Sequence, residues 1–323
     1  MRLRTAVKEL TYKSAATLRL DRAGLTRLRG GLIVFTYHSF CRRSASSLNS
    51  SIEISKFIAQ ASYIRQHFQI VRLIDGIRLV GGVDDSCCRP MAAITVDDGF
   101  SNNFDLLFPV AKRLQLPITI FLATDFIDTG RLPWAVELNA IIESAEARAL
   151  SWPFSAPIGS PIERSQTALA LRAAWSSFPP AERSRLLDEL GKHARAHPHE
   201  QQTPLTWGQV REMQSAGVHF GSHTVHHSRL SDVAPSIAED ELRRSKARIE
   251  SKLGTPCMGI AYPDGAHNEE VQGMAQAAGY EYGLTQDRGV NRKNQSPLAL
   301  ARVDVPYNES LATFACRASL VAL

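Results

Sequence analysis

Two clusters of side chains in this 323-residue chain have the types and spacing to do chemistry together. The first is Asp97-Asp98-Gly99, which follows directly on the apolar run Met91–Val96. Gly99 suits a sharp turn because it has no Cβ. Alone, such a triplet is often only a turn with a helix cap. The second cluster is His223-Thr-Val-His-His227, preceded by Val218–Phe220 and Gly221. His223 and His227 stand four apart, so on a helical turn they share a face and can grip one metal. Two imidazoles and one carboxylate leave coordination positions for water and substrate, the composition a hydrolytic metal site needs. His226 reads more simply as a surface or supporting residue.

Both clusters need elements that bring them together. Short apolar runs alternate with helical periodicity, the mark of a mostly parallel α/β sheet. Strands are predicted at Leu32–Thr36, Met91–Val96, Ile118–Leu122, Val218–Phe220, Met258–Ala261 and Glu281–Leu284. Helices are predicted over 54–67, from the Asp-Asp-Gly turn to near Leu114, and over 206–215, 235–252 and 268–278. Asp97, Asp98 and the histidines then all follow strands, at the carboxyl ends where ligand sites gather in parallel α/β folds. Residues 128–205 interrupt the rhythm with eight prolines and few strand signals. They read as an insertion with helical pieces at 134–149 and 181–196. Trp134, Trp152 and Trp175 lie inside it and Trp207 just beyond. Their rings either build the insertion's own small core or form a lid or sugar-stacking wall.

Composition narrows the class. Hydrophobic residues make up 44% and charged residues 21%, ordinary for a globular protein with a real core. No apolar run approaches the roughly 20 residues that span a bilayer. The net charge of +5 is concentrated in residues 1–30, where eight Lys or Arg face only Glu9 and Asp21. The remaining chain is close to neutral, so the basic balance does not describe a nucleic-acid groove. That segment lacks a secretory h-region. It reads as a helix packed on the domain, as one resting on anionic lipid, or as a basic targeting peptide. The five cysteines have neither disulfide-framework nor zinc-finger spacing, so a cytoplasmic location is expected, with peripheral contact at the inner membrane face as an extension.

Thr95-Val-Asp-Asp-Gly99 and His223-Thr-Val-His-His227 together resemble the first two motifs of the polysaccharide deacetylases, the NodB-homology group also known as carbohydrate esterase family four. The resemblance covers roughly residues 31–305, the insertion excepted. It implies a distorted, TIM-like (β/α) barrel of seven or eight strands that removes N-acetyl groups from an amino-sugar polysaccharide or glycan precursor. It also implies Asp97 as general base for the attacking water. Asp98, His223 and His227 would be ligands of a divalent metal, zinc first, with cobalt, manganese and nickel as alternatives. Ala261-Tyr-Pro-Asp-Gly265 matches the third motif, usually R-x-P-Y-G, and the amide of Asp264 would serve the oxyanion. The motif's arginine is Ala261 here; Arg302 is either its substitute or a surface salt-bridge residue. No L-x-H supplies the family's leaving-group acid, which leaves His38, after the strand ending Phe35-Thr-Tyr37, ahead of His267. Tyr262 and Trp134 are expected to touch the sugar. The same site would serve an O-acetyl esterase or a deformylase on a sugar carrier. Without the arginine and the L-x-H, a non-catalytic glycan binder is the reading from another class.

Overall fold

The computed structural model describes residues 20–42, 51–82, 89–151, 154–175, 178–194 and 203–321. Residues 1–19 of the basic segment, Trp152 and the pair Cys87 and Cys88 lie outside them. Strand β1 (Leu32–Tyr37) pairs in parallel with β5 (Met91–Val96) on one side and β10 (Val303–Asp304) on the other. From β5 the sheet runs on through β6 (Ile118–Leu122), β7 (His219–Ser222), β8 (Gly259–Ala261) and β9 (Tyr282–Leu284), each neighbour parallel. β4 (Gln69–Ile70) pairs with the start of β5 off this path, and β2 (Ser39–Cys41) pairs only with β3 (Ser51–Glu53). A parallel bridge from Leu284 to Leu300 carries β9 toward the segment leading into β10. The sheet therefore curls into the distorted barrel expected.

Alternation along the strands aims the site residues. Successive strand side chains point to opposite faces. Ile33, Phe35 and Tyr37 of β1 and Ala92, Ile94 and Val96 of β5 pack outward against helix side chains such as Phe57, Phe68 and Phe314. Burying each of these large side chains contributes roughly 1.5–3 kcal/mol. Leu32, Val34, Met91 and Ala93 instead join Phe121, Ala261 and Leu284 from across the curl. The same alternation carries Thr36 and Thr95 to the inner face, where their hydroxyls meet at 3.0 Å. One step further lie His38 and Asp97.

Helices α1 (Leu20–Arg27), α2 (Ile54–His67) and α12 (Leu311–Ser319) pack together against β1. α9 (Trp207–Ser215) begins with a capping box: Thr206 accepts from the Gln209 amide, and Gln209 from the Thr206 amide. α10 (Pro235–Leu253) has Pro at its first position and left-handed Gly254 just past its end. Helices α3 (Leu73–Gly82) and α12 carry no expectation from the sequence.

The insertion is helical. After α5 (Thr124–Thr129) come α6 (Trp134–Ser144), α7 (Pro161–Trp175) and α8 (Pro180–Ala194). Leu138, Ile142, Ile158, Ala168, Leu187 and Leu190 form a core separate from that of the barrel. Trp175 is buried in it, while Trp134 sits at its edge. One expectation is corrected, and one helix had none. α6 stops at Ser144, not 149, because Arg164 takes the carbonyls of Ile142, Glu143 and Ala145, and Ala145 turns extended. α7 was hidden in the sequence by a weak apolar stripe that leaves Ile162 and Leu169 exposed. Among the described residues no helix is long and apolar enough to cross a membrane.

Candidate metal centre and active site

β5 runs into Asp97, which is fully buried, and then into Asp98 and Gly99, both left-handed at φ 73° and 78°. Gly99 is required here, since a Cβ would come within 2.8 Å of the Leu122 side chain. Immediately after, the first helical turn is a π-helical segment, Asn103–Leu107, a departure from α geometry that tends to occur beside functional sites. Asn102 Nδ2 donates to Ser39 Oγ at 2.8 Å and Asn103 Nδ2 to the His38 carbonyl at 2.9 Å. These amides tie the carboxylate turn to the end of β1.

His223 follows β7. Its Nδ1–H donates to the Ala261 carbonyl at 2.7 Å, which fixes the tautomer and leaves Nε2 bare. Burial lowers its pKa to about 4, so the ring stays neutral at physiological pH. Nε2 of His223 and Nε2 of His227 each lie 3.5 Å from Asp98 Oδ1, and the three ligand atoms fall within 4.8 Å of one another. The expected helical turn is not what joins the histidines. Residues 223–229 form a loop in which Thr224 and His227 are left-handed, at φ 67° and 55°. The rings meet edge to face, 4.7 Å between centroids.

Glu241, on α10, holds that loop and was not singled out by the sequence. Its buried carboxylate accepts the amides of Val225 (2.7 Å) and His226 (3.0 Å), His226 Nδ1–H (2.6 Å) and the Ser228 hydroxyl (3.1 Å). Burial would raise the Glu241 pKa, but the hydrogen bonds and charge of His226 outweigh it and keep the group ionised. His226 is correspondingly raised by its bond to Glu241, and it serves the loop from outside the ligand cluster.

Arg302 arrives one residue before β10 and is almost completely buried. Its Nη1 donates to both oxygens of Asp97, at 2.9 and 2.7 Å, and its Nε to the Thr285 carbonyl at 2.7 Å. Burial alone would push the Asp97 carboxyl up. Arg302, with smaller contributions from His223 and His38, holds it below the usual value of 3.8. A surface salt bridge is thus the wrong description of Arg302.

Asp98, His227, His38, Asp264 and Trp134 line one cavity of about 420 Å³ at the carboxyl ends of the strands. A smaller cleft of about 310 Å³ opens at the amino ends, around Thr119, His219 and Tyr282, and holds no cluster of titratable groups that could act together. In the larger cavity His38 is partly exposed, with Nδ1 4.0 Å from Asp304. Asp264 sits in a left-handed bend at φ 53°, its carboxylate 3.3 Å from Arg229. His267 does not line the cavity; its ring stacks on Tyr262 and its Nδ1 bonds the Gly265 carbonyl. Tyr262 is corrected as a substrate contact. It is fully buried and its hydroxyl donates to the Leu298 carbonyl, because Gly283 leaves room for the ring inside the barrel wall.

The donor set fits a divalent cation. Asp98 Oδ1 is shielded from solvent and has no hydrogen-bond partner among the described residues, although the two imidazole Nε2 atoms flank it. A bare buried carboxylate oxygen is costly unless a cation completes it. Neutral nitrogen donors with one carboxylate match zinc or a related transition ion.

The family model for polysaccharide deacetylases matches residues 180–283. That span contains His223, His227 and the Pro263–Gly265 bend, and leaves Asp97, Asp98 and Arg302 outside. YxkH of Bacillus subtilis (strain 168), a polysaccharide deacetylase by name, is 33% identical over 110 residues, 34% of this chain and 39% of YxkH. The chain thus matches well under half the length of that relative. Among solved structures, the Streptococcus pyogenes deacetylase PplD in complex with acetate superposes with a TM-score of 0.59 at 17% identity, covering 86% of this chain and 93% of PplD. IcaB from Ammonifex degensii gives 0.58 at 18% identity, covering 91% and 97%. At such identities the likeness is one of fold.

Proposed function

We propose that this chain is a polysaccharide deacetylase, hydrolysing N-acetyl groups on an amino-sugar glycan with a divalent metal at Asp98, His223 and His227. The observation that carries the reading is the unpartnered, buried Asp98 oxygen between two imidazole nitrogens, next to a carboxylate locked by Arg302. When bound, the ion would polarise the acetamide carbonyl and acidify a water molecule.

The residues of the chain supply the rest. Asp97 is held ionised by Arg302, and each of its oxygens keeps a second lone pair beside that bond with which to take the proton of the attacking water. Arg302 keeps that carboxylate in one orientation and stays positively charged throughout. The amide of Asp264, in its left-handed bend beside the cavity, donates to the developing oxyanion in this reading. His38 protonates the departing amine, with Asp304 near enough to steady its ring once it is charged. An amine leaves only as a neutral group, so this step decides between amide and activated-ester substrates.

The test separates ligands from base. Asp98→Asn, His223→Ala and His227→Ala should each lose bound metal, measured by elemental analysis, and lose acetate release from N-acetylated glucosamine oligosaccharides. Asp97→Asn should keep metal and lose turnover. A variant set in which Asp97→Asn strips metal while Asp98→Asn retains it would reverse the roles. Full activity in the metal-free protein would sink the reading altogether.

A further inference from the structure

Helix α6 of the insertion has two faces that do different work. Leu138 and Ile142 point into the insertion's own core, while Val136, Asn139 and Glu143, at i, i+3 and i+7, line the catalytic cavity. Asn139 Oδ1 is shielded from water and has no donor among the described residues. An unpaired buried amide oxygen is uncommon in folded proteins, and a ligand hydroxyl would satisfy it. Trp134 opens the same helix. The Arg183 guanidinium, which does not line the cavity, lies 5.0 Å over its ring and holds it in place. Among the described residues Arg172, from α7, is the one arginine or lysine on the cavity wall, and it makes no ion pair there.

We propose that the insertion forms a second sugar-binding subsite, in which Trp134, Asn139 and Arg172 engage the glycosyl unit next to the one that loses its acetyl group. The substrate is then an oligosaccharide or polymer, not a single amino sugar. The inference rests on the deacetylase reading above. A flat indole held from one side suits the apolar face of a pyranose. The Asn139 amide, which no donor holds in place, turns its oxygen toward the cavity to accept from a ring hydroxyl, and Arg172 donates to hydroxyl or carbonyl oxygens. The reacting unit has to meet Asp98, His227 and His38, all on the barrel wall of the cavity. The insertion's polar groups stand on the other wall, where the neighbouring unit lies.

The experiment compares N-acetylglucosamine with its β-1,4-linked tetrasaccharide as probes, in the wild-type chain and in Asn139→Ala and Arg172→Ala. The ratio of kcat/KM for tetrasaccharide over monosaccharide should be large in the wild type and should contract by about tenfold in each variant, the scale of one lost hydrogen bond. A ratio that the substitutions leave unchanged overturns the subsite. So does a wild-type ratio near one. The same probes are titrated calorimetrically into metal-loaded Asp97→Asn protein, which binds without turning over. There the tetrasaccharide should bind more tightly than the monosaccharide, and adding Asn139→Ala should erase most of the difference. Equal binding of both probes overturns the subsite even where no acetate is released. Differential binding with no release anywhere would instead leave the subsite standing and fail the deacetylase reading.

Discussion

Replacing Arg302 by methionine keeps the length and apolar stem of the side chain and removes only its charge and donors. Asp97 would then be a fully buried carboxylate without a counter-ion, since Arg302 supplies both of its close charge-assisted bonds. Breaking a buried pair by deleting one partner costs about 3–5 kcal/mol. The Thr285 carbonyl also loses its donor, which adds to the upper part of that range. The pH dependence follows from the sign of the Asp97 shift. In the wild type its folded pKa lies below 3.8, so its contribution to stability is present above that value and fades only as pH falls through the lower one. Without Arg302, burial outweighs the smaller contributions of His223 and His38, and the folded pKa should rise above 3.8. The carboxyl then favours folding at low pH, and that contribution disappears as pH rises through the folded value. The deficit of Arg302→Met should therefore be small near pH 4 and reach several kcal/mol near pH 7, read by urea denaturation of the metal-free proteins. Asp97→Asn placed on top of Arg302→Met should recover about half of the neutral-pH loss, because no charge remains to be buried. A deficit that does not change with pH, or a double variant no better than the single one, would show that packing around Arg302 matters and the ion pair does not.

Glu241→Ala should weaken metal binding about 10–100-fold in competition titrations, and Glu241→Gln, which can still accept the Val225 amide, should lose less. Equal losses in both variants would remove Glu241 from the loop's support. His38→Ala should lower amide turnover roughly 10²–10⁴-fold with metal content unchanged, and should lose far less on an aryl acetate, whose phenolate departs unprotonated. Similar losses on both substrates would make His38 a positioning group. Gly99→Ala should destabilise the fold by about 1–3 kcal/mol, from its φ of 78° and the approach of Leu122, with the loss visible in thermal unfolding.

Much of the scaffold was legible because its signals are local. The apolar runs ahead of Asp97 and His223 gave β5 and β7 to within a residue or two, and α2 was read over its full span of Ile54–His67. The candidate ligand set stood out because three residues of two types, Asp98, His223 and His227, lie beside two short strand-end motifs that allow few other uses. The geometry that joins the histidines could not. The loop in which Thr224 and His227 are left-handed is held at Val225, His226 and Ser228 by Glu241, thirteen or more residues downstream of them on another element, and no periodicity reports such a contact. Asn139 was hidden for a similar reason: an asparagine on a helix face is ordinary until its surroundings take away its water. Tyr262 misled because an aromatic ring beside a catalytic bend looks like a sugar contact. Only the small Gly283 on the adjacent strand shows that the ring goes inward.

The pairing of Asp97 with Arg302 sets an order of events during synthesis. The two residues are 205 positions apart. At roughly 5–20 residues per second, on the order of 10–40 s separates their emergence from the ribosome. Through that interval β5 can already pair with β1, yet its terminal carboxylate has no counter-ion and the far edge of β1 has no strand beside it. A sheet in that condition favours staying hydrated over closing, because closure would strand the charge. The short β10 segment thus works as a latch that arrives last. It caps an open strand edge and neutralises a buried charge in the same motion, so the Asp97 carboxylate of the nascent chain stays unpaired until Arg302 has been made.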